Sequence, residues 1–175
     1  DGTISDVRLY DRQLTAAEVQ ALYERTRPAT ATGAATQPGV VRENGVTRYS
    51  MDSADISGST LTDLWSGNDG TITGATAGAS FPGASEALSF DGVDDYVQLP
   101  TNFPATCTVS LWFKPTTLPS TVGSNVMYVS SRHMGTGLML RAETDDNLYW
   151  FVRDGSWQKA GPYPLALGEW HHFCG

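Results

Sequence analysis

The chain has 175 residues, of which 40% are hydrophobic and 17% are charged, a composition that supports a packed core and argues against wholesale disorder. Its 19 acidic and 11 basic residues give a net charge of −8, which disfavours nucleic acid and anionic lipid as partners. No apolar stretch approaches the ~20 residues that a membrane helix needs, so membrane insertion is not expected. The two cysteines, Cys107 and Cys174, exclude a four-cysteine zinc site and a CxxC redox pair.

Residues 1–27 predict one strand followed by one short helix. The strand takes its apolar positions from Ile4, Val7 and Leu9. Because Ile4 is out of phase with the other two, we expect a bulge near Ser5. Thr15-Ala16-Ala17-Glu18 then forms a capping-box sequence, which predicts a helix that starts near Thr15 and is over by Pro28.

Residues 28–46 are rich in Pro, Thr, Ala and Gly and predict a linker, since the stretch 28–39 holds no large apolar residue. From about Thr47 onward, apolar and polar residues alternate with strand period. Such runs occur at 107–113, 126–132, 137–143, 147–153 and 169–174. Turn signals such as Asp154-Gly155 separate them. The pattern predicts an all-β fold, an antiparallel β-sandwich with one short helix near the N-terminus.

Several of these segments resemble one known family. The resemblance is carried by 49–52, 66–71, 108–115, 168–173 and Ala87-Leu88-Ser89-Phe90-Asp91-Gly92-Val93-Asp94-Asp95-Tyr96-Val97. In this order they resemble a laminin-G-like domain of the concanavalin A-like lectin/glucanase superfamily. The resemblance implies a pentraxin-like jelly roll over 47–175 that is incomplete at its C-terminal end. It implies no particular ligand, because this fold serves many functions.

The order of the segments is unusual for that family. The stretch from Gly2 to Val19 resembles the last strand and the trailing helix of such a domain, although here it comes first. The simplest interpretation is the tail of one repeat, a linker and most of the next repeat. The alternative is a circular permutation in which residues 1–27 complete the same sandwich.

Catalysis is not expected from this chain. Asp94-Asp95 and Asp145-Asp146 are adjacent carboxylates, and on a strand neighbouring side chains point to opposite faces, so neither pair flanks one bond. The Glu-x-Asp-x-x-Glu strand motif of related glucanases is lacking. His171-His172 diverges on a strand for the same reason and is expected to be structural. His133 stands alone and receives no role.

The resemblance also implies a metal and a disulfide. Many domains of the family bind calcium through loop oxygens, and the candidate ligands here are Asp52, Asn68, Asp69, Asp91 and Asp94. The region matching the pentraxin ligand pair, Gly135-Thr136-Gly137, carries no carboxylate. Cys174 matches half of a pentraxin-type disulfide. A bond to Cys107 stays open, because Cys107 falls about three residues early; if formed, it indicates an oxidising compartment.

The aromatic residues give the strongest indication of function. Trp112, Trp150 and Trp170 lie within strand patterns and are expected to be core or sheet-face residues. Trp157 and Tyr163 lie in a Gly- and Pro-rich segment, 154–164, that predicts a loop. The hydrogen-bond donors beside them are Arg153, Gln158 and Lys159. Aromatic faces next to such donors suit a glycan, so these five residues are the candidate ligand-binding site.

The sequence therefore favours a non-catalytic recognition module that binds glycans or cell-surface ligands within a larger repeat-containing polypeptide. Two other hypotheses stay open. One is an architectural module of a virion or surface filament that contacts other copies of itself. The other is an accessory carbohydrate-binding module of a polysaccharide-degrading enzyme. All three place the chain outside the cell, at a cell surface or on a virion surface, and none requires a cofactor beyond the candidate calcium ion.

Overall fold

The structure is a computed structural model that describes residues 1–26, 45–81, 85–100, 103–133 and 136–175. The predicted linker, up to Asn44, lies outside the described residues. The described part contains the helices α1 (Ala16–Thr26) and α2 (Pro119–Val122) and a 3₁₀ turn at Ser53–Asp55. The strands are β1 (Gly2–Tyr10), β2 (Gly45–Tyr49), β3 (Ile56–Ser57), β4 (Thr60–Leu61), β5 (Gly70–Thr73), β6 (Thr76–Phe81), β7 (Ser85–Phe90), β8 (Tyr96–Gln98), β9 (Thr108–Pro115), β10 (Val126–His133), β11 (Thr136–Ala142), β12 (Asn147–Asp154), β13 (Ser156–Pro164) and β14 (His171–Cys174).

The fold is mostly β, and every strand pair whose register is resolved is antiparallel, which confirms the predicted fold class. The chain divides into two compact units. One comprises residues 2–113 with 170–175, and the other comprises residues 114–169 with Asp1.

The first unit is a two-layer sandwich. Its larger sheet has the order β14-β9-β1-β7-β6, with β2 paired to β1, and its smaller sheet has the order β3-β4-β5-β8. Between the sheets, Tyr49 and Leu88 of the larger sheet pack with Leu61 of the smaller one, and all three are fully buried. Burial of this cluster removes apolar surface from water and holds the two layers together.

Strand β1 contains the irregularity that the sequence predicts. Ile4 and Val7 pack into the same cluster, although three residues separate them. Asp6 makes this possible by adopting a positive φ of 47°, which reverses the side-chain alternation. Residues 2–4 pair with β7, and residues 7–10 pair with β2.

Helix α1 begins as the capping box predicts. The Glu18 amide donates to the Thr15 hydroxyl at 3.3 Å, and the Thr15 amide donates to the Glu18 carboxylate at 2.8 Å. The helix packs Leu22 against Tyr10 of β1. Residues 1–26 thus form the predicted strand and helix, and the strand pairs with β7, β9 and β2 of the same chain.

The second unit is built on a four-stranded sheet with the order β10-β11-β12-β13. The predicted runs at 126–132, 137–143 and 147–153 are its first three strands, each with bounds within one residue of the prediction. The predicted loop at 154–164 is wrong: after a turn at Gly155, this segment continues as β13. As the edge strand of its sheet, β13 accommodates Pro162 and Pro164, which a central strand excludes.

The disulfide that the sequence leaves open is not formed in the structure. Cys107 and Cys174 are free thiols. Cys174 lies opposite Ser110, three residues beyond Cys107. Three residues of strand span about 10 Å, which exceeds the ~7 Å that two bridged Cα atoms allow.

Candidate functional site

One face of the β10–β13 sheet combines aromatic rings with cationic side chains. We call it the Trp157 face, and it comprises Met139, Arg141, Tyr149, Phe151, Arg153, Trp157 and Lys159. The register places these side chains together, because residues directly opposite each other in antiparallel strands share a face. Met139, Tyr149 and Phe151 form its buried floor, with at most 8% of each residue exposed.

Two glycines shape the hairpin that carries Trp157. Gly155 makes the turn between β12 and β13 with φ of 72°, and this turn places Trp157 opposite Arg153. Gly161 adopts φ of 127° where the register shifts between Leu148 and Trp150. A Cβ atom on Gly161 would lie 2.7 Å from Cδ1 of Tyr149, so only glycine lets β13 approach that ring.

Charged side chains cover the aromatic floor. The Glu143 carboxylate pairs with the Arg141 guanidinium and, at 2.6 Å, with Nζ of Lys159. The Lys159 ammonium also lies 3.5 Å from the centroid of the Tyr149 ring, and the Arg141 guanidinium lies 4.5 Å from that of Phe151. Each cation over a ring adds an attraction of about 0.5–1 kcal/mol at an exposed site. The network holds both cations against the sheet.

These contacts shift the pKa values of the acidic groups at one end of the face. The hydrogen bond from Lys159 lowers the pKa of Glu143 below its usual value, with a further contribution from Arg141. The Tyr149 hydroxyl donates to the Asp145 carboxylate at 2.6 Å, and this bond raises the pKa of Tyr149 to about 12. Glu143 is therefore ionised and Tyr149 is neutral at physiological pH.

Trp157 is the most exposed aromatic ring of the face. The residue is 38% exposed, and its ring meets Phe151 edge-on, with 6.4 Å between centroids. The Arg153 guanidinium lies 5.8 Å from the Trp157 centroid. Within the described residues, no carboxylate forms an ion pair with Arg153. Its guanidinium is therefore free to bind an acceptor from outside the chain.

The structure brings together three of the five candidate ligand-binding residues. Arg153, Trp157 and Lys159 share the Trp157 face. Gln158 pairs with Val152, and Tyr163 pairs with Leu148, so both lie on the opposite face of the sheet. Tyr163 is 52% exposed, as expected, but the register excludes one groove lined by both Trp157 and Tyr163.

Sequence reasoning missed the floor and the ionic network of this face. Tyr149, Phe151 and Arg153 occupy alternate positions on β12, which is a strand signal for one shared face. The Asp154-Gly155 turn then places Trp157 and Lys159 opposite Arg153 and Phe151, on that same face. The misassigned loop at 154–164 hid this relation, because residues in a loop carry no expected register.

The five candidate calcium ligands lie in three separate loops. Asp52 accepts the Glu86 amide at 2.6 Å, and Asp69 accepts the Asp63 amide at 2.9 Å. Asn68 donates to the Ser66 hydroxyl. Asp91 and Asp94 instead join Asp95, and one carboxylate oxygen from each of the three lies within 4.8 Å of the others. Asp91 and Asp94 are exposed and Asp95 is half-buried, and one oxygen from each gives three ligands, fewer than the six to eight that calcium takes. A calcium ion here stays a prediction.

The adjacent carboxylates and histidines have separate partners. Asp94 and Asp95 lie in the loop before β8 rather than on a strand, so strand geometry does not force their side chains to opposite faces. Asp145 accepts from Tyr149, whereas Asp146 accepts the Ser120 amide at 2.8 Å. His171 stacks on Phe113, and Nε2 of His172 lies 2.9 Å from the Ser110 hydroxyl on the other face of β9.

Two of the three tryptophans expected to be core or sheet-face residues have contacts that agree with this expectation. Trp112 is 3% exposed, and Trp170 packs edge-on against Phe81, with 4.7 Å between centroids. No helix in the described ranges has the length and apolar character that a membrane crossing needs.

Comparison with known proteins finds one family that resembles the C-terminal part of the chain. Residues 91–175 match the laminin-G family model described as the concanavalin A-like lectin/glucanases superfamily. The matched residues, just under half of the chain, include β8 to β14 and the whole Trp157 face. Residues 91–175 are therefore similar to a laminin-G-like domain of this superfamily, which supports the resemblance seen in the sequence. Such domains are generally non-catalytic and typically extracellular, although the superfamily includes glucanases. Neither a curated protein nor a solved structure matches the chain.

Proposed function

We propose that the chain is a non-catalytic recognition module that binds glycans through the Trp157 face. The observation that carries the proposal is the exposed indole of Trp157 beside the guanidinium of Arg153, which has no carboxylate partner in the described part of the chain. Sugar rings present flat C–H faces that stack on aromatic rings, and hydroxyl groups that accept hydrogen bonds. The pair offers both kinds of contact at one place.

Charge supports the choice of this face. Three of the chain's 11 basic residues, Arg141, Arg153 and Lys159, converge here, although the chain as a whole carries −8. Glu143 neutralises part of that charge by pairing with Arg141 and Lys159. Hydroxyl-rich ligands therefore meet several donors in a fixed arrangement, because the ionic network and the aromatic floor hold the side chains in place.

The affinity of a single face is expected to be low. An aromatic contact contributes on the order of 1 kcal/mol, so the useful strength of binding comes from several copies acting together through effective concentration. This suits a module that is repeated along a polypeptide at a cell surface or attached to a polysaccharide-degrading enzyme.

The test is a glycan array probed with a multivalent form of the chain. We expect Trp157→Ala to reduce binding about fivefold to tenfold, the equivalent of 1–1.4 kcal/mol. Tyr163→Ala is the matched control, since Tyr163 is an exposed aromatic of the same strand on the opposite face, and it should bind like the parent. Equal binding by the parent and Trp157→Ala, or a loss confined to Tyr163→Ala, would contradict the proposal.

An architectural role is the second candidate, and one observation favours it. Strand β13 is an edge of its sheet, and all nine of its residues are exposed. Exposed edges of this length pair readily with other chains. If no glycan binds and the purified chain assembles into filaments that a Lys159→Pro substitution in β13 abolishes, this role replaces the first.

A further inference from the structure

In the first unit, the segment of residues 1–26 fills the space between β7 and β9, which we call the slot. Its strand β1 lies between β9 and β7, and β2 also pairs with it. Within the described residues, β1 is the strand that links these three, so without it the sheet would separate into β14-β9, β6-β7 and β2. Unpaired strand edges accept another strand of suitable pattern.

Helix α1 adds a second set of contacts to the same slot. The Tyr23 ring stacks on Trp112 of β9, with 5.7 Å between centroids. The Trp112 indole donates to the Thr26 hydroxyl at 2.7 Å, and the Leu14 amide donates to the Thr108 hydroxyl at 3.1 Å. Strand and helix together recognise β9 by shape, by hydrogen bonds and by backbone pairing.

None of these contacts depends on which copy of the chain supplies the segment. Residues 27–44 connect it to β2, and a chain of 18 residues spans up to about 60 Å when extended. A closed copy and an exchanged pair of copies make the same contacts and differ only in the path of this connection. Exchange is therefore limited by the connection and by concentration, not by the interface.

We propose that the slot between β7 and β9 is a docking site for the β1–α1 segment of a second copy of this chain. Consecutive copies then complete one another by strand addition, and the array is held together through its sheets rather than through surface contacts. The proposal is independent of any glycan bound by the Trp157 face.

The test traps the exchanged segment with a disulfide. Thr3 of β1 and Ser89 of β7 are direct partners in the sheet, where paired Cα atoms lie 4.5–5.5 Å apart and meet the requirement of a disulfide. In a background of Cys107→Ser and Cys174→Ala, one chain carries Thr3→Cys alone and a differently tagged chain carries Ser89→Cys alone. The two are unfolded together, refolded at high concentration under mild oxidation, and examined on a non-reducing gel.

We expect a covalent heterodimer with twice the mass of one chain. The matched control replaces Ser89→Cys with Ser80→Cys, which lies on β6, a strand that does not neighbour β1, and this mixture should give no heterodimer. A single chain with both Thr3→Cys and Ser89→Cys reports whether the docked pair forms at all. If that chain closes its internal disulfide and the mixture still yields no heterodimer, or if the internal disulfide itself fails to form, the proposal is overturned.

Discussion

Burial determines the protonation of His172. Its ring lies against Trp112, with 5.0 Å between centroids, and its Nε2 lies 2.9 Å from the Ser110 hydroxyl. Burial lowers the pKa of His172 to about 4, because the charged imidazolium loses its hydration in this environment. The folded chain therefore holds a neutral ring here at neutral pH.

This neutral ring predicts a loss of stability in mild acid. Below pH ~6.5 the unfolded chain binds a proton at His172, whereas the folded chain binds it only near pH 4. The free energy of unfolding should therefore fall by roughly 1–3 kcal/mol as the pH drops from 6.5 to 4. Urea unfolding across this range measures the slope, which His172→Gln should flatten. His171→Gln is the control and should keep the slope; an unchanged slope in His172→Gln would exclude this cause.

At the scale of elements, the course of β13 depends on one glycine. Gly161 adopts φ of 127°, and a Cβ atom at this position would collide with both the Tyr149 ring and the carbonyl oxygen of Leu148. Because glycine has no side chain, β13 can stay paired with β12 on both sides of the register shift between Leu148 and Trp150. This pairing keeps Lys159 over the Tyr149 ring.

Gly161→Ala is therefore expected to destabilise the β12–β13 hairpin by roughly 1–3 kcal/mol and to weaken glycan binding. Its Cβ would lie 2.7 Å from the ring and 2.9 Å from the Leu148 oxygen, so the strand must shift. Gly155→Ala provides the comparison, because φ there is also positive but nothing lies within 4 Å of the added atom. Thermal unfolding of both variants separates the cost of a positive φ, which both positions share, from the cost of the Cβ collision, which occurs only at Gly161. Equal losses would show that the close approach at Gly161 costs nothing.

Some helices and strands could be predicted from local sequence patterns alone. The Thr15–Glu18 capping box and the apolar positions of α1 lie within one stretch of chain, so the helix was predictable from its own residues. The strands at 126–133 and 147–154 were predictable for the same reason. Strand β13 was not, since Gly161, Pro162 and Pro164 read as a loop unless its position at the sheet edge is known.

At the scale of the whole molecule, no covalent link ties distant parts of the chain through its cysteines. Both thiols are free. Cys174 packs with Tyr10 and Leu14, and burial raises the pKa of its thiol to about 11. No disulfide contributes to the stability of the fold, so the redox state of the surroundings has no bond to act on.

The melting temperature should therefore be the same with and without a reductant, within about 1 °C. At pH 8, about one Cys174 thiol in a thousand is ionised, so alkylation of Cys174 in the folded chain should be slow and should become fast on unfolding. Mass spectrometry of alkylated samples measures both thiols. A mass two units lower than that of the reduced chain, together with a drop in melting temperature on reduction, would contradict this prediction.

The sequence by itself determined the fold class, the strand and helix of residues 1–26 and most strands of the second unit, because period, turn residues and caps are local properties. Only the tertiary structure decided where those elements meet. It placed β1 between β7 and β9, kept Cys107 away from Cys174, and separated Tyr163 from Trp157 while bringing Tyr149 and Glu143 beside Lys159. These outcomes depend on register and strand order, which follow from the packing of residues far apart in the chain and from no single stretch of it.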